Sequence, residues 1–317
     1  MSNAICNTNK DIPSDMLLGN LLFMNIRDMK IPENDLVSMF NSAGISTSFI
    51  RRISPADAYR RATSSIKGGK NSIVLNGNQG TINVDEVSCD ENEVVRVISV
   101  HGIDEQNQDV EFAKILKFRF DRYSEQLDTD YIGQWTIGSN PELDNLVKTV
   151  NDRFDEWKIY HNKDTVRNLI NRVVQSMHPI SLMPTGICKF IPESKSDVVY
   201  SLKELMGLMS SYCVNNNEEN IAEIIPVIDT VEQRGLVERN YTVEVVDEMN
   251  DLAVALNKAI AKGTLSSRQA SSYIDRFTEL KKKAEEYDNM LGIYSTNIRD
   301  QLRASLELVN DNTDEDE

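Results

Sequence analysis

Histidine and cysteine, which most often build metal and nucleophile sites, are scarce in this chain, with three and four among 317 residues. His101, His161 and His178 stand far apart, and none belongs to the HExxH pattern that holds zinc on one face of a helix. The cysteines form no CxxC pair, which argues against a zinc site or a disulfide framework and favours reduced thiols: Cys6, Cys89, Cys188 and Cys213. We therefore expect no metal and no cofactor.

Motifs of catalysis and phosphate binding are missing too. There is no GxSxG nucleophile elbow and no GxGxxG dinucleotide loop. The segment Gly68-Gly69-Lys70-Asn71 lacks the leading GxxxxG of a phosphate-binding loop and the Ser or Thr after its lysine. Acidic pairs are so frequent that none stands out as a general acid and base. We predict no catalytic residue and expect a protein that is not an enzyme.

Long hydrophobic runs are also absent. The apolar stretch Met16–Met24 is too short to span a bilayer and predicts a core helix. The N-terminus lacks a charged region followed by an apolar run, so no secretory signal is expected. These features predict a cytoplasmic protein with no membrane partner.

Negative charge dominates what is present, with a formal net charge of −16. The tail 311–317 carries five of the acids, and it is predicted to be disordered, as is the polar segment 1–12. An alternative is that the tail engages a basic partner or mimics the charge of nucleic acid. The remaining composition, 40% apolar and 26% charged, is that of a globular protein.

Residues 13–140 predict a first α+β domain. Helices are expected near Asp15–Asn25 and Glu33–Ala43, the second ended by Gly44. A third should begin after Ser54, because serine caps a helix and Pro55 suits its first position, and it should run to about Ile66. Beyond residue 72 the apolar period is two, which predicts an antiparallel meander with these strands: Ser72–Asn76, Thr81–Val87, Glu93–His101, Val110–Phe120 and a candidate fifth at Tyr131–Ile137.

Residues 141–228 predict a small α/β segment. A helix begins after Asn140, and a second carries an apolar face over Val166–Met177. A tight hairpin is expected around Pro184-Thr185-Gly186, between strands at Ile180–Met183 and Ile187–Ile191. A helix at Ser196–Tyr212 and a strand at Ile221–Ile228 follow, and Pro226 should keep this strand at a sheet edge or near its end.

Residues 229–310 predict a coiled-coil-like antiparallel helical hairpin. Two apolar stripes repeat at heptad spacing: Val245, Met249, Leu252 and Leu256 with Ala259, then Phe277, Leu280, Ala284, Tyr287, Leu291, Tyr294 and Ile298. Gly263 suits the end of the first helix, and Ser266 with Gln269 matches a capping box at the start of the second. The stripe either packs against the partner helix alone or also serves an oligomer interface. The whole chain therefore predicts an α+β fold with a C-terminal helical hairpin.

One segment of the sequence, residues 51–70, is basic although the whole chain is acidic. Six basic residues and one tyrosine stand in a segment with a single acid, Asp57, and form the candidate contact set: Arg51, Arg52, Tyr59, Arg60, Arg61, Lys67 and Lys70. A second basic cluster comprises Lys114, Lys117, Arg119 and Arg122. Basic side chains bind phosphates, and neighbouring aromatic side chains stack on bases. The alternative is that they pair with carboxylates of this chain or of a neighbouring subunit.

A resemblance accompanies these patterns. Thr165-Val166-Arg167-Asn168-Leu169-Ile170, followed by Ser181-Leu182-Met183-Pro184-Thr185-Gly186-Ile187-Cys188-Lys189-Phe190-Ile191-Pro192, resembles an uncharacterised family of phage and bacterial proteins. There an R-N-L helix precedes an L-R-P-(S/T)-G-G hairpin and a long helical C-terminus. Here Met183 replaces the arginine and Ile187 the second glycine. The resemblance implies a phage or prophage origin and supplies no catalytic residues.

The leading hypothesis is therefore a non-enzymatic structural or accessory protein that binds another protein, of the host or the phage, with self-association as an added expectation. The alternative is a nucleic-acid-binding accessory protein that uses residues 51–70, which the charge of −16 disfavours.

Overall fold

The structure, a computed structural model, describes residues 13–75, 78–103, 109–183, 188–293, 298 and 300–305. Within these ranges the side chains at 14, 69–72, 75, 78–79, 103 and 109–112 are not described. The elements run β1 (Leu17–Asn25), β2 (Lys30–Pro32), α1 (Glu33–Ser42), α2 (Pro55–Ser64), β3 (Gly68–Leu75), β4 (Asn78–Cys89), β5 (Glu93–Ile103), β6 (Asp109–Asp121), β7 (Gln126–Tyr131), α3 (Pro141–Trp157), β8 (Tyr160–Asn162), α4 (Lys163–Gln175), β9 (Ile180–Ser181), β10 (Cys188–Pro192), α5 (Ser196–Met209), β11 (Ile221–Ile228), α6 (Val231–Ala261) and α7 (Ser267–Leu291).

The chain folds into two compact units, and the fold is α+β with antiparallel sheets. The first unit comprises residues 1–27, 39–49 and 167–317, and the second comprises residues 28–38 and 50–166. Each unit therefore combines separate stretches of sequence, whereas the predicted division into 13–140, 141–228 and 229–310 follows chain order. In the described residues no helix is long and apolar enough to cross a membrane.

The second unit is built on a five-stranded antiparallel sheet in the order β3-β4-β5-β6-β7. This confirms the predicted meander, although Asn76, Gly77 and residues 104–108 lie outside the described part. The fifth strand is Gln126–Tyr131, so the prediction of a strand at Tyr131–Ile137 is wrong. The carboxylate of Asp121 accepts the N–H groups of Tyr123 and Ser124, which reverses the chain directly after β6 and starts the next strand early.

Helices α2 and α3 contribute to the core of this sheet. Ser54 caps α2 by accepting the N–H of Asp57, as predicted, and Asn140 caps α3. The core is rich in aromatic side chains, with the ring of Tyr59 stacked on Phe120 at 5.5 Å and Phe154 edge-on to the same ring. A short ladder of β2 with β8 completes the described strands of the unit.

The first unit contains a four-stranded sheet in the order β11-β1-β10-β9. The helix predicted over Asp15–Asn25 is wrong, because Leu17–Asn25 is a strand between β10 and β11. Apart from Asn20 and Asn25 the strand has no polar side chain, and a short apolar run does not distinguish a buried strand from a helix. Gly19 permits the close approach of β10, since a Cβ atom there would lie 2.3 Å from the carbonyl oxygen of Ile191.

The remaining predictions for this sheet are confirmed. Strands β9 and β10 pair antiparallel as a hairpin, with the turn residues 184–187 outside the described part. Strand β11 is an edge strand of the sheet, as Pro226 predicts. Gly44 adopts a φ of +71° after the end of α1, where a left-handed residue terminates the helix.

The predicted C-terminal hairpin is formed by α6 and α7. Gly263 has a φ of +61°, and the capping box of Ser266 and Gln269 is present. Both stripes are buried together with residues of the four-stranded sheet: Val245, Met249, Leu252, Leu256, Phe277, Leu280, Ala284, Tyr287, Leu291 and Ile298. Ala259 is only half-buried, and Tyr294 lies outside the described residues. The stripe thus packs on the sheet as well as on the partner helix, and an oligomer interface stays a prediction.

Candidate functional site

Arg60 of the predicted contact set is committed to contacts within its own unit. Its Nε lies 2.9 Å from Glu86 Oε2, and the same carboxylate is 3.2 Å from Arg96. The hydrogen bond from Arg60 is the main reason that the pKa of Glu86 lies below its usual range. Arg96 donates to the carbonyl of Arg60 near the end of α2 at 2.8 Å. This pairing matches the alternative in which basic residues satisfy the chain's own carboxylates.

Tyr59 and Arg61 are also engaged internally. Tyr59 is fully buried and donates its hydroxyl to the carbonyl of Phe118 at 2.9 Å, so it cannot stack on a base, and its place in the contact set is corrected. The guanidinium of Arg61 lies over the ring of Trp157 at 4.9 Å, and burial lowers its pKa.

Three members of the predicted set remain exposed. The side chains of Arg51, Arg52 and Lys67 make no hydrogen bond or ion pair to any residue that the structure describes. The side chain of Lys70 is not among those described. The structure therefore leaves a basic surface of three side chains, without an aromatic partner from the predicted set.

The histidines are held in internal contacts. His161 is buried 3.9 Å from Glu33, and burial lowers its pKa. His178 contacts the carboxylate of Glu286, which also accepts from Ser194. Among the described residues no group of three or more His, Cys, Asp or Glu side chains could hold a metal ion.

A cavity of about 290 Å³ lies beside His178 and includes Glu279 and Lys283 in its lining. Lys283 is paired with Glu244 at 2.8 Å, and Glu279 is 2.6 Å from Lys282. These two lining charges are therefore already paired within the fold, and the lining also contains Glu248, Asp275 and Arg276.

A larger concavity in the second unit offers free groups. It is a groove of about 710 Å³ between β7 and α3, with the segment after β7 also in its wall. Strand β7 is the last strand of its sheet, so one of its edges has no partner strand among the described residues. Its lining residues are Leu127, Asp128, Thr129, Tyr131, Ile137, Gly138, Asp144, Val147, Lys148, Asn151 and Asp152.

The pairing with β6 determines which backbone groups of β7 are free. Leu116 stands opposite Tyr131 in register, and the next residue, Ile132, donates its N–H to the Ile115 carbonyl at 3.0 Å. Hydrogen-bonded and non-hydrogen-bonded pairs alternate along an antiparallel ladder, so residues 126, 128 and 130 also bond to β6. The N–H and C=O groups of Leu127, Thr129 and Tyr131 therefore point away from β6, toward the free edge.

The wall of the groove is held in place by Asp144 at the start of α3. Its carboxylate accepts the hydroxyl of Tyr131 at 2.5 Å and the N–H of Gly138 at 3.0 Å. Burial, together with the hydrogen bond and charge of Asp144, raises the pKa of Tyr131 to about 12. The segment between strand and helix is thus fixed at both ends, and the groove is preformed.

Apolar side chains and carboxylates line this groove together. Leu127 and Val147 are partly buried against the core, whereas Ile137 is 84% exposed. Three lining residues are acidic (Asp128, Asp144 and Asp152) and one is basic (Lys148). The groove can therefore accept an extended chain through its backbone, with a preference against negative charge.

None of the groove residues belongs to the contact set predicted from the sequence. The alternating segment Gln126-Leu127-Asp128-Thr129-Asp130-Tyr131 was a period-two signal that could have identified the strand. No pattern within a strand shows whether its second edge is free, because that depends on the order of strands in the sheet.

Comparison with known proteins gives one match. A family model described as a family of unknown function, DUF6744, matches residues 17–312. No curated protein and no solved structure matches the chain.

Proposed function

The chain belongs to the DUF6744 family, whose function is unknown, and we propose that it is a non-enzymatic interaction protein that binds an extended segment of a partner protein along the free edge of β7. The observation that carries this proposal is the unpaired strand edge that opens into a preformed groove beside α3. Addition of a strand to an exposed sheet edge is a common mode of peptide recognition.

The binding energy of such a complex comes mainly from the backbone. Leu127, Thr129 and Tyr131 each offer one donor and one acceptor, so a partner strand could form up to about six hydrogen bonds at about 0.5–1.5 kcal/mol each before the cost of ordering is subtracted. The groove supplies side-chain selection in addition, through Val147 on α3 and Ile137 in the segment between β7 and α3.

Natural edge strands are usually protected from pairing with another chain by proline, lysine or a bulge, and β7 has none of these. Gln126–Tyr131 contains no proline and no lysine, and its pairing with β6 shows no bulge. Its protection is the charge of Asp128 and Asp130. This charge opposes pairing with a second copy of the same strand, because like charges would face each other, and it leaves oppositely charged partners free to bind.

A displayed library of random peptides, selected on the full chain, tests the proposal. Selected peptides should slow the exchange of the amides of Leu127, Thr129 and Tyr131. The variant Thr129→Pro removes the outward N–H without removing a bond to β6, so it should weaken binding at least tenfold. The matched control Thr129→Val retains the backbone donor and should bind normally. Peptides that bind Thr129→Pro as well as the native chain would refute strand addition at β7.

The nucleic-acid alternative has weaker support. Its aromatic residue, Tyr59, is buried, and Arg60 and Arg61 are engaged within the unit. Arg51, Arg52 and Lys67 are the described side chains of the set that stay available to phosphate.

A phage or prophage origin is part of the same proposal. Its support is the likeness of Arg167-Asn168-Leu169 and of the segment from Ser181 to Pro192 to phage and bacterial sequences. The genes on either side of this one test it: a neighbourhood without phage genes across several genomes would remove the support.

A further inference from the structure

We infer that the segment bound at β7 alternates basic and apolar side chains, so that it resembles the chain's own strand β6. The inference rests on the proposed function and names the chemical class of its ligand. It follows from the two faces of β7 and from the partner that already occupies the other edge of this strand.

The two faces of β7 differ in chemistry. Asp128 and Asp130 are exposed and project from one face, while Leu127, Thr129 and Tyr131 are half-buried on the face toward the core and α3. Side chains of an added strand must follow the same alternation, because neighbouring strands share one pleat. Every second residue of the ligand therefore meets carboxylates, and the residues between them meet the apolar wall.

Strand β6 shows which side chains satisfy these two faces. Lys117 and Arg119 stand opposite Asp130 and Asp128 in register, and Arg119 forms an ion pair with Asp130 at 2.7 Å. The alternate residues Phe118 and Phe120 stand opposite Thr129 and Leu127 and are buried. The same strand, β7, presents the same side chains to both of its edges. The sequence Lys-Phe-Arg-Phe is thus an internal template for the ligand.

The negative charge around β7 also favours a basic ligand. Asp128 forms no ion pair with any described residue, and the groove lining carries three carboxylates against one ammonium. An acidic segment would therefore be repelled, and a second copy of this chain, with its net charge of −16, would be repelled as well. Ile137 and Val147 provide apolar contacts for the residues between the basic ones.

Fluorescence anisotropy with short labelled peptides tests the inference on the full chain. The probe repeats Lys-Phe-Arg-Phe, and the comparison peptides replace either the basic residues by glutamate and glutamine or the phenylalanines by serine. N-methylation of alternate residues on one edge keeps the probe from assembling into sheets larger than a dimer. On the edge facing β7, the same modification should abolish binding.

The expected result is binding of the basic and apolar probe at least tenfold tighter than of each comparison peptide. Asp128→Asn should weaken it about two- to fivefold, as expected for one exposed charge pair. Thr129→Pro should abolish it, whereas non-specific attraction to an acidic surface would survive that change.

The outcomes separate this inference from the proposed function. Glutamine or glutamate peptides that bind as well as the probe, and that lose binding in Thr129→Pro, would overturn the ligand class and leave strand addition standing. A probe whose binding is unaffected by Thr129→Pro would overturn the inference, and the library selection would then decide the proposed function on its own.

Discussion

The buried ion pair in the C-terminal hairpin allows the sharpest test of how this fold is stabilised. Lys283 on α7 is 8% exposed at its side chain, and its Nζ lies 2.8 Å from Glu244 Oε1 on α6. The second oxygen of Glu244 accepts the N–H of Ser181 at 2.7 Å, at the edge of the sheet. Burial would raise the pKa of Glu244, but Lys283 and the Ser181 amide outweigh it and hold this pKa below its usual value.

Replacing Lys283 by methionine should destabilise the protein by about 2–3 kcal/mol, because the carboxylate of Glu244, whose side chain is 30% exposed, loses its nearest counter-ion. The double variant Lys283→Met with Glu244→Leu should recover most of this loss, since an apolar pair of similar volume avoids the cost of desolvating two charges. The contribution of the pair is therefore expected to be strongly non-additive.

Urea unfolding followed by far-UV circular dichroism measures these differences, because α6 and α7 are the longest helices of the described chain. The adjacent residue provides a matched control. Lys282 pairs with Glu279 at 2.6 Å, but both side chains are more than half exposed, so Lys282→Met should cost at most about 1 kcal/mol. Equal costs for the two lysine variants, or a double variant as unstable as the single one, would show that the Lys283 pair is not a buried determinant of stability.

Three further predictions concern other parts of the fold. Gly19→Ala should lower stability by about 1–3 kcal/mol or more in the same urea assay, because the new methyl group would clash with the backbone of β10; an unchanged midpoint would contradict the close approach. Burial lowers the pKa of His161, so the unfolded chain binds a proton more readily than the folded chain. Stability should therefore be full above pH 6.5 and fall below it. His161→Gln should flatten the dependence of the thermal unfolding midpoint on pH between about pH 5 and 7. The double variant Arg51→Gln with Arg52→Gln should leave stability unchanged, whereas Arg60→Gln should lower it because its ion pair with Glu86 is lost. Filter binding at low salt should detect little nucleic-acid affinity in either variant. Binding of nucleic acid by the native chain at micromolar concentration and physiological salt, lost in the double variant, would favour the nucleic-acid alternative.

Local signals predicted much of this fold because the physics they report is local. The cap at Ser54, the left-handed glycines at Gly44 and Gly263 and the capping box at Ser266 depend on a few neighbouring residues, and all are present. The apolar stripes of α6 and α7 could also be predicted from the sequence, since heptad spacing places the apolar side chains on one side of each helix.

Where the prediction failed, long-range contacts decided the outcome. Leu17–Asn25 became a strand because β10 and β11, more than 160 residues later in the chain, pair with both of its edges. Tyr59 appeared to be a contact residue because it stands among arginines, but its helix turns it into the core against Phe120. Arg60 is paired with the carboxylate of Glu86, which the folded sheet brings to it, and Arg61 lies over the ring of Trp157.

The groove beside β7 also depends on long-range strand pairing, so the sequence of the strand gives only a weak signal of a binding surface. A strand inside a sheet has both edges bonded, so its side chains alone interact with their surroundings. An edge strand retains backbone donors and acceptors, and the side chains then decide which partner may reach them. In β7 the exposed positions are Gln126, Asp128 and Asp130, and the two aspartates form a negative row opposite Arg119 and Lys117 of β6. On the β6 side, Arg119 already pairs with Asp130 at 2.7 Å. The other edge is the place where a second basic strand would gain most, because Asp128 has no counter-ion among the described residues.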